Sequence, residues 1–223
     1  AVKWMDVVNE TVTPEGEWFK EKPGNTKWEN PWEQLGHDEA GFPLYITKAF
    51  EIANKNAPNV SLVFNQHGGM EPKMWDRVKR TILYLKEKGY RIDGLGWQAH
   101  LKSNQKLALD KESLQYFSDL IDWAHQNDLD FHVTEIDYKI FNSFNESQSL
   151  IEQSNAYSNI LKVLLSKTKT GVVTFNTWGL VDGFGKHHDS KRFIYDKQYN
   201  PKPAYYGLKN TLTNPFEPLQ LYE

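Results

Sequence analysis

The stretch FHVTEID, Phe131 to Asp137, is the part of the sequence from which the fold is best predicted. Phe131, Val133 and Thr134 favour an extended backbone, so the stretch predicts a buried strand that carries Glu135 near its carboxyl end. A carboxylate in such a place is costly unless it has partners or a chemical task. Glu135 is therefore the first candidate functional residue.

A second stretch of the same kind lies near the start of the sequence. WMDVVNE, Trp4 to Glu10, also favours a strand and also ends at a carboxylate. Two glutamates from different strands, brought to one face of a sheet, are the minimum needed to cleave a glycosidic bond with a general acid and a nucleophile. Glu10 and Glu135 together predict a glycosidase.

Composition narrows the class of protein further. The 223 residues, 39% hydrophobic and 25% charged, predict one globular domain over residues 1–223. A net charge of −3 without a basic block argues against nucleic acid as a partner, and the sequence has no apolar run long enough for a membrane span. The absence of cysteine excludes disulfides and thiol catalysis. Eight tryptophans suit a sugar-binding cleft, whose platforms are aromatic rings.

Strand and helix patterns alternate along the whole chain. We predict strands at residues 4–9, 60–65, 92–98, 131–137 and 172–176, and helices at residues 38–56, 72–88, around 114–124, 146–165 and 202–212. These make five β/α units, which favour parallel strands covered by helices and functional residues at the carboxyl ends of the strands. The predicted fold is α/β, of the (β/α)8 TIM-barrel type with five of its eight units. A doubly wound sheet is the alternative, but no glycine-rich phosphate loop accompanies it.

Six motifs in order resemble one enzyme family. WMDVVNE, LVFNQ, GLGWQAH, VTEID, TFNTWGLVDG and YNPKPAYYGL are similar to the C-terminal part of glycoside hydrolase family 10 endo-β-1,4-xylanases. The resemblance covers nearly the whole chain and implies that it supplies strands four to eight of the barrel.

The resemblance implies catalytic roles for both glutamates. Glu10 matches the general acid that protonates the leaving oxygen and then activates water, and Glu135 matches the nucleophile that forms a glycosyl-enzyme intermediate. Asn9 would bind the 2-hydroxyl of the sugar, and Asn65 is a further substrate-binding candidate. A strand-end carboxylate that pairs with a surface base remains the alternative for Glu10.

Four more residues join the candidate site through the same resemblance. Gln98 and His100 are two residues apart, so they share one face of a strand, and the family places both at Glu135. His100 would hydrogen-bond to the nucleophile, and Asp137 would hold His100 in place from the other side of the imidazole. Trp178 would form the floor under the cleaved sugar. A core histidine and an ordinary packing tryptophan are the alternatives for His100 and Trp178.

The sequence departs from the family pattern in two places. Residues 66–68 read QHG where the family has a tyrosine, so a contact near the nucleophile is lost or is replaced by His67. Gly185 and Lys186 stand where the family has a Ser-Trp pair, which predicts a more open or more polar cleft roof.

No metal and no cofactor are expected. His187, His188 and Asp189 invite a metal interpretation, but adjacent histidines in a loop seldom point together and retaining glycosidases need no catalytic metal.

Three functions fit these observations. The first is a retaining endo-β-1,4-xylanase acting on xylan or xylo-oligosaccharides. The second is another retaining β-1,4-glycanase, and the third is an inactive, truncated glycan-binding fragment. The family also implies secretion to the extracellular or periplasmic space, although the sequence shows no signal peptide.

A partial barrel has consequences for association. Every strand of a closed barrel has two neighbours, so five units leave the strands at residues 4–9 and 172–176 each with an open edge. Open edges pair with other chains. We expect the chain to need its missing N-terminal barrel segment or to self-associate, and to hydrolyse xylan weakly or not at all by itself.

Overall fold

The computed structural model describes residues 2–20, 30–141, 145–183 and 191–221. The chain divides into two compact units, one up to Gly96 and one from Trp97 onward. No helix in the described ranges is both long enough and apolar enough to cross a membrane.

The first unit contains two complete β/α pairs. Strand β1 (Trp4–Asn9) leads through a 3-10 helix (Pro31–Leu35) to helix α1 (Leu44–Asn56), and strand β2 (Ser61–Gln66) leads to helix α2 (Pro72–Glu87). Strand β3 (Gly94–Trp97) ends where the second unit begins. β1 and β2 are parallel, with Asn9 opposite Asn65 and an irregularity in the register between Asp6 and Val8. This pairing brings the carboxyl ends of β1 and β2 side by side.

The second unit holds the remaining elements. They are strand β4 (His100–Lys102), helix α3 (Lys111–Gln126), strand β5 (Asp130–Lys139), helix α4 (Glu146–Ser166), strand β6 (Val173–Thr177) and helix α5 (Pro203–Thr213). β5 runs parallel to both β4 and β6, and His100 lies opposite Asp137 in the β4–β5 register. That register sets the second half of the candidate site.

Helix periodicity accounts for the core of each unit. In α2, Trp75, Val78 and Ile82 are fully buried at the spacing of one helix face. In α3, Phe117 is buried at the equivalent place and its ring meets the Phe131 ring of β5 edge to face, with 5.7 Å between centroids. Helix α3 begins where the Asp110 carboxylate accepts the Ser113 N–H at 2.8 Å, and Asn145 caps α4 in the same way.

The five predicted β/α units are all present, but some boundaries differ from the prediction. The helix predicted from residue 38 begins at Leu44, because the Asp38 carboxylate accepts the N–H groups of Ala40 and Phe42, both at 3.0 Å, and closes a turn. The strand predicted at residues 92–98 is shorter, Gly94–Trp97, and His100 begins a separate strand, β4. The prediction that Gln98 and His100 share one face of a strand is therefore wrong. Ala99, with a φ of 59°, interrupts the extended backbone between β3 and β4.

Candidate active site

Glu10 directly follows β1 and has a left-handed backbone. Its φ is 56°, which is uncommon for a residue with a side chain, and its N–H donates to the Asn65 carbonyl at 3.2 Å. Such a conformation costs on the order of 1–3 kcal/mol and persists only where surrounding contacts impose it. Strained backbones cluster at functional sites, which fits the predicted role of Glu10.

Gln66, at the end of β2, holds the backbone that follows Glu10. Its fully buried side chain accepts the N–H groups of Thr11 and Val12 at 3.1 and 3.3 Å, and donates to the Val12 carbonyl at 2.7 Å. Three hydrogen bonds therefore hold the two residues after Glu10. From the sequence, Gln66 is only a departure from the family pattern; its position directly after Asn65 in a buried strand is the signal for a structural role.

The Asn65 side chain is hydrogen-bonded to the Asn9 side chain. It is completely buried, and its Nδ2 donates to Asn9 Oδ1 at 3.0 Å and to Asp6 Oδ2 at 3.3 Å. This bond fixes the orientation of the Asn9 side-chain amide, with Oδ1 toward Asn65 and Nδ2 facing away from it. The two predicted asparagines are brought together in the first unit.

A cavity of about 590 Å3 opens beside Asn9 and Glu10. Phe19, Trp32 and Tyr45 contribute aromatic walls, and burial raises the pKa of the Tyr45 hydroxyl above its ordinary value. Trp32 is 66% exposed, so its ring is available to a ligand. Aromatic rings next to polar side chains are the usual composition of a small-molecule or sugar site.

In the second unit, His100 lies between two carboxylates of β5. Its Nε2 is 3.3 Å from Glu135 Oε2 and its Nδ1 is 3.1 Å from Asp137 Oδ1. A neutral imidazole has one N–H, so only the imidazolium donates to both carboxylates at once. Burial of the ring lowers its pKa, but the hydrogen bonds and charges of Asp137 and Glu135 outweigh burial and raise the pKa of His100 to about 9. His100 is therefore a cation at neutral pH.

Asp137 has a second cationic partner, Arg192. Asp137 is fully buried, and Arg192 Nη1 donates to its Oδ2 at 2.7 Å while His100 occupies its Oδ1. Arg192 was not predicted from the sequence, because it is 55 residues away from Asp137 and belongs to none of the strand-end motifs.

Trp178 and Gln98 complete the predicted set. The Trp178 ring meets the His100 ring edge-on, with 5.9 Å between centroids, and is 53% exposed. The backbone N–H of Trp178 donates to the Ile136 carbonyl at 3.1 Å, which attaches the Trp178 backbone to β5. Gln98 is buried directly after β3. An exposed indole above a charged pair is suited to stack on a sugar ring.

The other predicted features fall on residues outside the described ranges. These are Gly185, Lys186, His187, His188 and Asp189. Within the ranges that are described, no group of three or more His, Asp or Glu side chains could hold a metal ion.

Known proteins are similar to this sequence over most of its length. The sequence pattern of Glycosyl hydrolase family 10 matches residues 1–211. The chain belongs to glycosyl hydrolase family 10.

Three members of family 10 illustrate the similarity. Endo-1,4-beta-xylanase A of Thermotoga neapolitana is 29% identical over 91% of this chain and 18% of its own length. The solved xylanase 10B of Thermotoga maritima is 28% identical with a TM-score of 0.76, covering 95% of this chain and 60% of the solved chain. Xylanase 10B of Thermotoga petrophila RKU-1, solved with xylobiose, is 27% identical with a TM-score of 0.77 and covers 97% and 61% of the two chains.

The solved family 10 structures confirm the fold prediction. The chain is α/β, of the TIM-barrel type, with five of the eight β/α units. It spans about 60% of the length of the solved family 10 chains named above.

Proposed function

We propose that residues 1–223 are the C-terminal portion of a single catalytic barrel whose activity is that of a retaining endo-β-1,4-xylanase. The substrate would be xylan or xylo-oligosaccharides. The observation that carries this proposal is the placement of His100 between Glu135 and Asp137, because it supplies a nucleophile whose carboxyl group is held in one orientation. The xylobiose bound by the related xylanase 10B of Thermotoga petrophila RKU-1 supports the choice of substrate.

The proposed reaction has two displacement steps. A Glu135 oxygen attacks the anomeric carbon while Glu10 gives its proton to the departing sugar oxygen, and a covalent glycosyl ester results. Glu10 then takes a proton from water, whose oxygen displaces Glu135 from the same carbon. His100 stays hydrogen-bonded to Glu135 Oε2 during both steps and so keeps the carboxyl group oriented.

Two substitutions test this division of labour. Glu135→Gln should abolish turnover of every substrate, because no ester forms. Glu10→Ala should retain activity on aryl xylosides with good leaving groups, and added azide should restore part of the lost rate because it replaces the activated water. Equal losses on activated and unactivated substrates in both variants would contradict the assignments.

We propose further that a neighbouring β/α segment completes the barrel. Among the described strands, β1 pairs only with β2. Beside β1, the cavity near Glu10 has an apolar wall made by Val7, Ala49 and Ile52, and Ile52 is 52% exposed. A strand edge next to uncovered apolar side chains is a surface suited to another strand and helix. The occupant would be the N-terminal barrel segment, or a second copy of this chain in its place.

An assay of residues 1–223 alone and with a complementing segment tests the activity and the completion. The segment would be the first three β/α units of xylanase 10B from Thermotoga maritima, added as a separate chain. We expect reducing sugar from xylan, faster than from carboxymethyl cellulose, only in the mixture. Equal rates on both polymers would indicate another β-1,4-glycanase. Binding of xylohexaose without hydrolysis would indicate a glycan-binding fragment.

Light scattering after size exclusion tests the completion independently of activity. We expect residues 1–223 alone to elute as dimers or larger species and the mixture to elute as a one-to-one complex. A stable monomer that hydrolyses xylan alone would contradict the completion.

The proposed location is extracellular or periplasmic. Polymeric xylan is too large to enter a cell intact, so an enzyme that cleaves the polymer rather than short xylo-oligosaccharides would act outside the cytoplasm. Fractionation of the source organism, with an antibody against this chain, should find it in the medium or periplasm, and detection only in the cytoplasm would contradict the proposal.

A further inference from the structure

The backbone of Arg192 is fixed on both sides, so its guanidinium has a defined position. Its N–H donates to Asp182 Oδ1 at 2.8 Å. Its carbonyl accepts the Tyr157 hydroxyl at 3.0 Å and the Tyr138 N–H at 3.2 Å. Tyr138 directly follows Asp137 on β5, so the backbone of Arg192 is bonded to the strand whose carboxylate its side chain meets.

Asp182 is held in turn by a buried cation. Its Oδ2 accepts Lys202 Nζ at 2.8 Å, and both side chains are more than nine-tenths buried. Its Oδ1 also accepts the Phe193 N–H at 2.8 Å. Buried ion pairs are weak evidence for stability, and an established use of them is to specify one arrangement. Here the arrangement specified is the backbone at Arg192 and Phe193.

These contacts form a ladder of alternating charge that ends at the nucleophile. From Lys202 it passes to Asp182, through the Arg192 backbone and guanidinium to Asp137, and then through His100 to Glu135. One Asp137 oxygen accepts from Arg192 and the other is bonded to His100, so the Asp137 carboxylate cannot rotate without breaking one of these bonds.

We propose that Arg192 is a positioning residue for the proposed glycosidase reaction: it holds the buried Asp137 carboxylate and thereby the orientation of His100 at Glu135. The proposal rests on the proposed function only in giving Glu135 its catalytic task. Arg192 acts on His100 and Glu135 through its ion pair with Asp137.

The physical consequence of losing Arg192 has a definite sign. The charged groups placed around His100 are Asp137 and Glu135, with Arg192 behind Asp137, and the Trp178 ring is an uncharged neighbour. Removal of the guanidinium leaves the Asp137 charge opposed by His100 alone. The field at the imidazole becomes more negative, so its protonated form becomes more favourable and its pKa rises.

Nitrogen-15 NMR of the imidazole in residues 1–223 tests this without any activity. The His100 signals are assigned by their loss in His100→Gln. We expect Arg192→Met to raise the His100 titration midpoint by about half a unit to one unit, and to broaden the Nε2–H signal because its orientation is less restricted. Arg192→Lys keeps the positive charge, and we expect it to return the midpoint to within a few tenths of a unit of the unsubstituted value.

A matched control removes a comparable ion pair elsewhere. Arg91 Nη1 contacts Asp93 Oδ2 at 2.6 Å in the first unit, so Arg91→Met also breaks an Arg–Asp pair. We expect Arg91→Met to leave the His100 midpoint unchanged. A general loss of stability would move both variants alike, whereas a positioning role moves only the Arg192 variant.

A measurement on the unsubstituted chain covers the case in which Arg192→Met does not fold. As pH rises, the chemical shifts of the Arg192 guanidinium nitrogens should change with the same midpoint as those of His100, because Asp137 contacts both groups. Signals that do not follow His100, or a folded Arg192→Met with an unchanged midpoint, would overturn the proposal. Either of these results is compatible with xylan hydrolysis. A changed His100 midpoint in Arg192→Met is likewise compatible with a chain that does not hydrolyse xylan. The test of Arg192 and the test of the proposed function can therefore fail independently.

Discussion

At the scale of single residues, the charge of His100 makes the stability of the protein depend on pH. As an imidazolium it bonds to Asp137 and Glu135 together, and as a neutral ring it retains one of those two hydrogen bonds. Its pKa, raised to about 9 from an ordinary 6.5, is higher in the folded chain than in the unfolded chain. The stabilisation is therefore complete below pH 6.5 and is lost as pH rises through about 9.

We accordingly predict that the melting temperature falls between pH 7 and pH 10 and that His100→Gln removes much of this fall. Thermal denaturation followed by circular dichroism, at fixed ionic strength, measures both curves. In the completed enzyme, kcat should decline over the same alkaline range. Parallel pH curves for the two proteins would show that another group is responsible.

Gln66 gives a second prediction at this scale. Its side chain serves two N–H groups and one carbonyl after Glu10 from a fully buried position. Gln66→Leu leaves those backbone groups buried without their partner, and each such group costs about 1–3 kcal/mol. We predict a loss of about 3 kcal/mol in the free energy of unfolding.

Urea denaturation measures this loss. The exposed Gln34→Leu is the control, and we expect it to change the free energy of unfolding by less than about 0.5 kcal/mol. Similar values for the two variants would mean that water replaces the Gln66 amide.

At the scale of elements, α4 and α5 pack closely where Gly207 faces two serines. A Cβ added at Gly207 would lie 2.6 Å from Ser158 Oγ and 3.2 Å from the Ser154 carbonyl oxygen. Ser154 Oγ already donates to the Pro203 carbonyl at 2.9 Å, so this side chain has little freedom to move away. Close approach of the two helices therefore requires glycine at this position.

We predict that Gly207→Val destabilises the chain by about 2–3 kcal/mol, because overpacking forces α5 away from α4. The midpoint of urea unfolding measures it. Lys209→Ala, on the exposed side of the same helix, should have a small effect. If Gly207→Val were as stable as Lys209→Ala, the α4–α5 contact would have to be looser than described.

At the scale of the whole molecule, the proposed reaction requires a particular separation of Glu10 and Glu135. Retaining glycosidases have carboxyl groups about 5–5.5 Å apart, whereas inverting enzymes leave room for water at about 6.5–9.5 Å. We predict the shorter separation in a crystal structure of the completed barrel, and retention at the anomeric carbon in the first product seen by NMR. An inverted first product would remove the double-displacement mechanism.

The sequence by itself determined the β/α alternation, the burial of one face of α2 and α3, and the strands that carry Glu10 and Glu135, although β5 continues to Lys139, beyond the predicted end at Asp137. These are local properties, because a hydrophobic period of 2 or 3.6 residues and the residue types along a strand can be identified without knowing which elements lie beside it in the fold. The start of α1 was misplaced because the Asp38 turn competes locally with the helix.

Only the tertiary structure decided which residues support the candidate site. Arg192 reaches Asp137 from 55 residues away, and Gln66 reaches Thr11 from the same separation. The partner of a buried polar group is determined by strand register and by where a loop returns to the sheet. No periodicity in the sequence encodes that distance, so hydrogen-bond partners became visible only when the strands were placed side by side.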